Sequence, residues 1–124
     1  MKYRLTKRAN PQDRSKTKWY AAPINEGKIT KISLSKDVVA ISSLSRGDVS
    51  NVIETFIEVI PKYLLMGKSV SLGELGTLRI SFTSEGIENP DEFSIGMIKG
   101  AKILFTPGIE LKKSLADLKY EKGE

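Results

Sequence analysis

The sequence predicts one small domain of the mixed α+β class. Its 124 residues, of which 40% are hydrophobic, allow a single hydrophobic core. Apolar and polar residues alternate in short stretches towards both ends of the chain, which is typical of half-buried strands. Between these stretches lies a long segment whose apolar residues recur every three or four positions, which indicates an amphipathic helix.

Two short strands are predicted before residue 30. Polarity alternates over 2–7, and a second strand is predicted over 18–24, where Pro23 favours an edge position or a strand end. The segment 10–15 between them contains asparagine and proline, so it is predicted as a loop.

A short helix is predicted over 31–42. Thr30 precedes it and is predicted to cap its first turn, because a threonine hydroxyl accepts a hydrogen bond from a backbone N–H that lacks a partner. Leu34, Val38 and Ile41 are spaced by four and three residues and form the predicted inward face.

The next helix has the strongest periodicity in the chain. Ser45 is predicted to cap it, with Asp48 at the third position, where a carboxylate favours the positive helix end. Pro61 is predicted to kink the helix or end it early, and Gly67 to stop it. The apolar stripe consists of Val49, Val52, Ile53, Phe56, Ile57, Ile60 and Leu64. It is too broad for one short helix and a three-stranded sheet to cover, which predicts a partner surface, most simply a twofold dimer.

Three strands and a last helix complete the predicted order β-β-α-α-β-β-β-α. A hairpin is predicted around 73–76, where two glycines indicate a positive φ or a close backbone approach. The segment 84–94 is predicted as a loop, 102–106 as part of a strand, and a helix begins after residue 108. Residues 120–124 are predicted to form a frayed tail.

Two residue types are missing from the sequence, and their absence excludes several classes of chemistry. Without cysteine there are no disulfides, thiolate metal sites or thiol nucleophiles. Without histidine the commonest general base and metal ligand are also missing. No run of 18 apolar residues exists, and the charged start of the chain has no apolar stretch behind it. We expect a soluble intracellular protein that is not an enzyme and has no cofactor, metal or small-molecule substrate.

Positive charge is concentrated in the first quarter of the chain. Residues 1–31 contain nine Lys/Arg and two acids, whereas residues 32–124 contain eleven and thirteen. Tyr3, Trp19 and Tyr20 are interleaved with these cations. Such a segment is typical of a surface that binds phosphates, and equally of a solubilising edge.

Three other patterns are more simply explained by structure than by chemistry. The run Gly67-Lys68-Ser69 lacks the earlier glycine of a phosphate-binding loop and follows a helix, so a helix stop is the better interpretation. Glu54 and Glu58 are one helical turn apart but have no third ligand, so a solvated helix face is favoured. The remaining acidic cluster lacks the spacing of a calcium loop and comprises Glu85, Glu88, Asp91 and Glu92.

From Thr30 to Leu118 the chain resembles the bacterial histone-like HU and integration host factor proteins. The residues that carry the resemblance are LSRGDV at 44–49, Phe56-Ile57, MGKSVSL at 66–72, GELGTLR at 73–79, FTPG at 105–108, and Leu111-Lys112. The extra segment 1–29 is similar to the strand-forming N-terminal extension of HU-like proteins from Bacteroides-type bacteria. The predicted division is therefore a basic extension 1–29, an HU-like domain 30–120 and a tail 121–124.

The resemblance implies an obligate intertwined dimer, with a helical body and two three-stranded sheets that form a saddle. In HU and integration host factor the saddle binds double-stranded DNA, and a β-ribbon arm from each sheet enters the minor groove, where a proline wedges between base steps. It implies a non-enzymatic, architectural protein of the bacterial nucleoid with low sequence specificity. A homodimer is expected, and a heterodimer is the open alternative.

The resemblance and the charge pattern together predict the site residues. The predicted DNA-binding residues are Lys2, Arg4, Lys7, Arg8, Arg14, Lys16, Lys18, Arg79, Lys99, Lys102 and Lys112. The predicted dimer core is Val52, Phe56, Ile57, Ile60 and Leu64, and the predicted arm tip is Asn89-Pro90.

The chain departs from the family pattern in the arm. Residues 80–98 contain no Lys or Arg and have four acids, which phosphates repel. Three states of this segment are open: folded down, disordered, or used for another purpose. The alternative function is a dimeric protein-interaction module that has kept the HU fold and lost DNA binding.

Overall fold

The computed structural model describes residues 1–123, which form two three-stranded sheets and three helices. The elements follow in the order β1 (Lys2–Asn10), β2 (Asp13–Pro23), α1 (Lys31–Ile41), α2 (Arg46–Leu64), β3 (Val70–Ser71), β4 (Gly76–Ser84), β5 (Ile98–Pro107), α3 (Ile109–Lys113) and β6 (Glu121–Lys122). The predicted order and the α+β class are confirmed, and β6 is added at the end.

The N-terminal sheet has the strand order β2-β1-β6. Its hairpin is longer than predicted, and the predicted loop over 10–15 is wrong, because the turn is confined to Pro11 and Gln12. The Asn10 side chain accepts from the Gln12 backbone N–H (2.9 Å) and closes this turn, which leaves the flanking residues free to pair. The register shifts once, between Ala9 and Asn10.

The predicted frayed tail is also wrong over residues 120–123, and its last residue, Glu124, lies outside the described residues. β6 pairs in parallel with the start of β1, and the Gly123 backbone N–H donates to the Tyr3 carbonyl (2.8 Å). The N-terminal ammonium group of Met1 in turn donates to the Lys119 carbonyl (2.7 Å). The reason is tertiary: β1 has an unpaired edge, and residues 121–122 satisfy it although their own sequence has no strand pattern.

The first helix is capped as predicted, since the Ser33 backbone N–H donates to the Thr30 hydroxyl (3.2 Å). The predicted inward face is only partly correct. Ser35 is buried and Val38 is half-buried, whereas Leu34 is exposed and Ile41 is 89% exposed. A small serine is therefore the most buried residue of this helix, and the larger residues Leu34 and Ile41 are left uncovered.

The second helix begins with a reciprocal capping box. The Ser45 hydroxyl accepts from the Asp48 backbone N–H (3.0 Å), and the Asp48 carboxylate accepts from the Ser45 N–H (2.9 Å). The Ser45 backbone N–H, and after it the Ser45 hydroxyl, hold the pKa of the Asp48 carboxyl below its ordinary value. The helix continues through Pro61 to Leu64, so the predicted early end is wrong, and Gly67 stops it as predicted with a hydrogen bond to the Leu64 carbonyl (2.9 Å).

The C-terminal sheet has the strand order β3-β4-β5, with antiparallel pairing throughout. A 3₁₀ turn over Gly73–Leu75 joins β3 to β4. Gly76 has φ 148°, and a Cβ there would lie 2.5 Å from the Phe105 ring, so both a positive φ and a close approach are present at this turn. The prediction made from the two glycines is confirmed.

The connection between β4 and β5 is a compact loop over residues 85–97. The Glu85 backbone N–H donates to the Met97 carbonyl (3.0 Å), which closes it. Inside it are two 3₁₀ turns, Pro90–Glu92 and Ile95–Met97. The segment is therefore ordered by its own hydrogen bonds, which excludes the disordered state; the other two states stay predictions.

A single chain buries very few of its large apolar residues. Only Val49 and Leu64 are buried hydrophobic residues within the described chain, at 8% and 3% exposed, whereas Ile57 and Ile103 are 63% and 60% exposed. The accessible surface is 10,654 Å². A folded monomer of this size has about 6,600 Å². The excess is typical of a chain that completes its core with a partner.

Candidate nucleic-acid interface

The C-terminal sheet has one polar face and one apolar face. Residues directly opposite in an antiparallel pair lie on the same face, and faces alternate along each strand. The polar face is made of Ser71, Thr77, Arg79, Ser81, Thr83, Lys99, Lys102, Leu104 and Thr106. The apolar face is made of Val70, Leu78, Ile80, Phe82, Ile103 and Phe105. Three of the predicted DNA-binding cations therefore share a face with hydroxyl groups, and no acid belongs to that set.

A β-bulge brings the third cation to this face. Lys99 and Lys102 are three residues apart, so a regular strand would place them on opposite sides of the sheet. Between them the pairing passes from Ser81↔Lys102 to Thr83↔Lys99, with one extra residue in β5. Gly100 has φ 66° at that point, which is the left-handed conformation that such a bulge requires. The bulge was not among the predicted features, although a glycine inside a strand pattern is its usual signal.

The three cations differ in their partners. Lys99 Nζ is 2.5 Å from a carboxylate oxygen of Glu85, the first residue of the acidic loop. Arg79 and Lys102 have no acidic partner within 4 Å in the part of the chain that the structure describes. Arg79 and Lys102 are therefore suited to bind phosphate oxygens, which accept hydrogen bonds both from these cations and from the neighbouring hydroxyl groups.

The N-terminal hairpin carries a second basic surface. Arg4 and Arg8 of β1 lie on the same face as Lys18 and Tyr20 of β2. The Arg8 guanidinium lies 4.7 Å from the centre of the Tyr20 ring, a cation–π contact that orients it. Lys2 at the start of the strand forms an ion pair with Glu26 (3.4 Å).

The remaining hairpin cations are placed differently. Lys7 lies on the opposite face, directly across from Trp19. Arg14 and Lys16 follow the register shift close to the turn and are exposed. Next to them, the hydroxyl and then the backbone N–H of Ser15 donate to Asp13 and hold its pKa below the ordinary value, so Asp13 stays ionised down to a lower pH.

A family model described as "HU domain fused to wHTH, Ig, or Glycine-rich motif" matches residues 1–122. The chain belongs to the HU-HIG family. This confirms the resemblance to HU proteins, and the match includes the N-terminal extension as well as the HU-like segment. The sequence matches no curated protein.

Among solved structures, the chain is similar to one described as a "Putative bacterial DNA binding protein" from Bacteroides vulgatus ATCC 8482. The TM-score is 0.57 at 19% sequence identity, over 98% of this chain and 49% of that one. At this identity the likeness supports the fold alone. The HU-HIG chain described here spans about half the length of that protein.

The other predicted site residues are spread over the HU-HIG fold. Lys112 is exposed in α3, whose first residues are tied to the turn before β4 by a hydrogen bond from the Gly108 N–H to the Leu75 carbonyl (3.0 Å). The Asn89 side chain caps the 3₁₀ turn that begins with Pro90. Their role as an arm tip stays a prediction.

The predicted dimer core is divided between buried and exposed positions. Leu64 is 3% exposed, Ile60 is half-buried, and Val52, Phe56 and Ile57 face outward. No helix within residues 1–123 is long and apolar enough to cross a membrane. Over the same range, no three acidic side chains lie close enough together to hold a metal ion.

Proposed function

We propose that this HU-HIG protein is a non-enzymatic, homodimeric DNA-binding protein that acts as an architectural component of the bacterial nucleoid. Its polar sheet face binds the phosphates of double-stranded DNA with low sequence specificity. The observation that carries this proposal is the arrangement of Arg79, Lys99 and Lys102 on one face together with hydroxyl groups. The neighbour from Bacteroides vulgatus, described as DNA-binding, supports it.

The chemistry of this face favours phosphates over base edges. Arginine and lysine neutralise phosphate charge and release counterions, and serine and threonine hydroxyls add neutral hydrogen bonds. No asparagine or glutamine, the usual readers of adenine, belongs to the set. Affinity should therefore depend on salt much more than on base sequence.

A dimer supports this function by covering the apolar surface. Each chain exposes roughly 4,000 Å² more than a folded monomer of its size, or about 8,000 Å² for two chains, which is more than enough for the roughly 2,000–5,000 Å² that obligate dimers bury in total. The open groove beside the end of α2 has a volume of about 660 Å³ and is lined by Leu64, Leu65, Ile80 and Phe82 among others. We assign Val52, Phe56 and Ile57 to the contact with the second chain, with Ile60 and Leu64 beneath them.

The basic hairpin supplies additional phosphate contacts. Residues 2–23 contain seven Lys/Arg and one acid, and a dimer presents two such hairpins. The acidic loop has the opposite role. With four acids and no Lys/Arg in residues 85–97, it is repelled by phosphates, so the proposed contacts do not pass through Pro90.

The test is a fluorescence anisotropy titration of a labelled, non-specific duplex with the wild-type protein. We expect the affinity to fall by at least about 10³-fold between 50 and 200 mM salt, as for proteins that contact six or more phosphates. Absence of binding at about 50 mM salt would overturn the proposal and leave the protein-interaction module as the function.

A further inference from the structure

Trp19 occupies an unusual position on the N-terminal hairpin. It lies directly across from Lys7, and its neighbours along the same face of β2 are Thr17 and Ala21. Its side chain is 64% exposed, although tryptophan is normally well buried. An indole in water on a strongly basic hairpin indicates a ligand that is both anionic and flat.

The short neighbours leave the indole ring open. Thr17, Ala21 and the diagonal Ala9 have too few atoms to cover it, and the other diagonal neighbour, Leu5, leaves the side chain 64% exposed. Tyr20 offers a contrast, because its ring lies under the Arg8 guanidinium and is half-buried. Within residues 1–123 no cation lies over the Trp19 ring. Of the two adjacent aromatic residues, only Trp19 has a free ring face.

We propose that this face of the hairpin, made of Trp19, Lys7, Thr17 and Ala21, binds single-stranded DNA. An unpaired base stacks on the indole, and Lys7 contacts a neighbouring phosphate. Aromatic platforms flanked by cations bind single strands in this way, since every base has a flat face. An intact duplex cannot use the platform, because its base faces are already stacked on one another.

This inference rests on the proposed DNA-binding function but adds a second ligand class on a separate surface. Duplex binding depends on the polar face of the C-terminal sheet and on the hairpin cations. Single-strand binding depends on the Trp19 ring and on Lys7 across from it. A substitution can therefore abolish single-strand binding and leave duplex binding intact, or the reverse.

The first test uses the fact that Trp19 is the only tryptophan of the chain. Its emission is recorded while an oligothymidylate of about 20 nucleotides, longer than a typical single-strand site, is added. We expect strong quenching by the oligonucleotide and little by a relaxed, covalently closed plasmid that has no base ends. Equal quenching by both would overturn the inference.

The second test compares two substitutions by anisotropy of the labelled oligonucleotide. Trp19→Leu keeps an apolar side chain but removes the ring, and should weaken binding by about 5- to 150-fold, the usual effect of losing one stacked base. Trp19→Phe should retain most of the affinity. Phe93→Leu, which removes an exposed ring from the acidic loop, is the matched control and should change nothing.

The outcomes separate the possible explanations. Duplex affinity unchanged by Trp19→Leu, with single-strand affinity lost, supports the inference. Equal loss for both ligands would mean a structural role for Trp19, and no loss for either would mean that the ring is not used; each overturns it. A shift of the wild-type emission with protein concentration alone would assign this face to a second copy. Failure to bind both ligands would remove the proposed function itself.

Discussion

The two sheets of this protein share one plan and differ in what their faces carry. Each consists of a long antiparallel hairpin and a third strand of two residues. Each has one face rich in cations and one that is largely apolar. The C-terminal sheet fills its apolar face with bulky residues such as Phe82 and Phe105, whereas the matching face of the N-terminal hairpin combines Trp19, Tyr3 and Leu5 with small residues such as alanine and threonine.

This difference shows how one architecture is adapted to burial and to display. Bulky aliphatic and aromatic residues form a continuous surface that must be covered, here by the proposed second chain. The exposed ring of Trp19 has Lys7 directly across from it and small residues on either side along β2, and is suited to a ligand that is flat and small. The number of cations also differs between the two sheets, since the C-terminal sheet carries three and the hairpin carries seven.

Phe56→Ala should have the largest effect, because the proposed dimer buries this ring. We expect a loss of about 3–5 kcal/mol of unfolding free energy and a midpoint that depends on protein concentration. The matched control is Phe93→Ala. The two rings are 42% and 44% exposed in a single chain, so a monomer would respond alike to both changes. Similar losses, or a folded wild-type monomer in sedimentation, would remove the dimer.

The next prediction concerns the hairpin cations. Replacing Lys2, Arg4, Lys7 and Arg8 together by Ala should weaken duplex binding and reduce the salt slope. Each phosphate contact contributes about 0.9 to the slope, so eight lost cations per dimer lower it by up to about 7. An unchanged slope would mean that the hairpin contributes no phosphate contacts.

Local sequence patterns predict much of the fold. The parts that they do not predict depend on contacts between residues that are far apart in the chain. The capping box of Ser45 and Asp48 and the stop at Gly67 each depend on contacts within about one helical turn, so the sequence alone predicts them. The sequence alone does not predict the pairing of β6, because this pairing depends on the unpaired edge of β1, which is more than a hundred residues away.

The candidate site divides in the same way. The hairpin cations follow from composition alone, whereas Arg79, Lys99 and Lys102 depended on resemblance to a family. Their common face could be assigned only once the Gly100 bulge was seen, since Lys99 and Lys102 have the wrong spacing for a regular strand. The exposed ring of Trp19 likewise depends on strand register, which the sequence does not reveal.

Gly100→Ala tests the bulge that gives the C-terminal sheet its third cation. An alanine in this left-handed conformation costs about 1–2 kcal/mol. Its Cβ would also lie 3.3 Å from the Thr83 hydroxyl. Gly86→Ala is the control, since its φ is not in the left-handed range and no atom lies within 4 Å of the new Cβ. Denaturant midpoints that move equally would contradict the role of the bulge.

Asp48→Asn should give the smallest effect, and it should depend on pH. The pKa of Asp48 is lowered in the folded chain, so its ionised form stabilises the protein above the unfolded pKa, and this contribution is lost as pH falls through the folded value. We expect the melting temperature of the variant to lie below that of the wild type at neutral pH and to equal it in strong acid. A melting difference that is independent of pH would contradict this assignment.

The most direct test of the central claim is the salt slope for duplex binding of the triple variant Arg79→Gln, Lys99→Gln, Lys102→Gln. A control of equal charge change carries Lys28→Gln, Lys36→Gln and Lys62→Gln, all outside both sheets. With six cations lost per dimer, we predict that the slope of the first variant falls by about 5 and that the control retains the wild-type slope. Equal slopes for the two variants would mean that only net charge matters, and would contradict a DNA interface on the polar face of the C-terminal sheet.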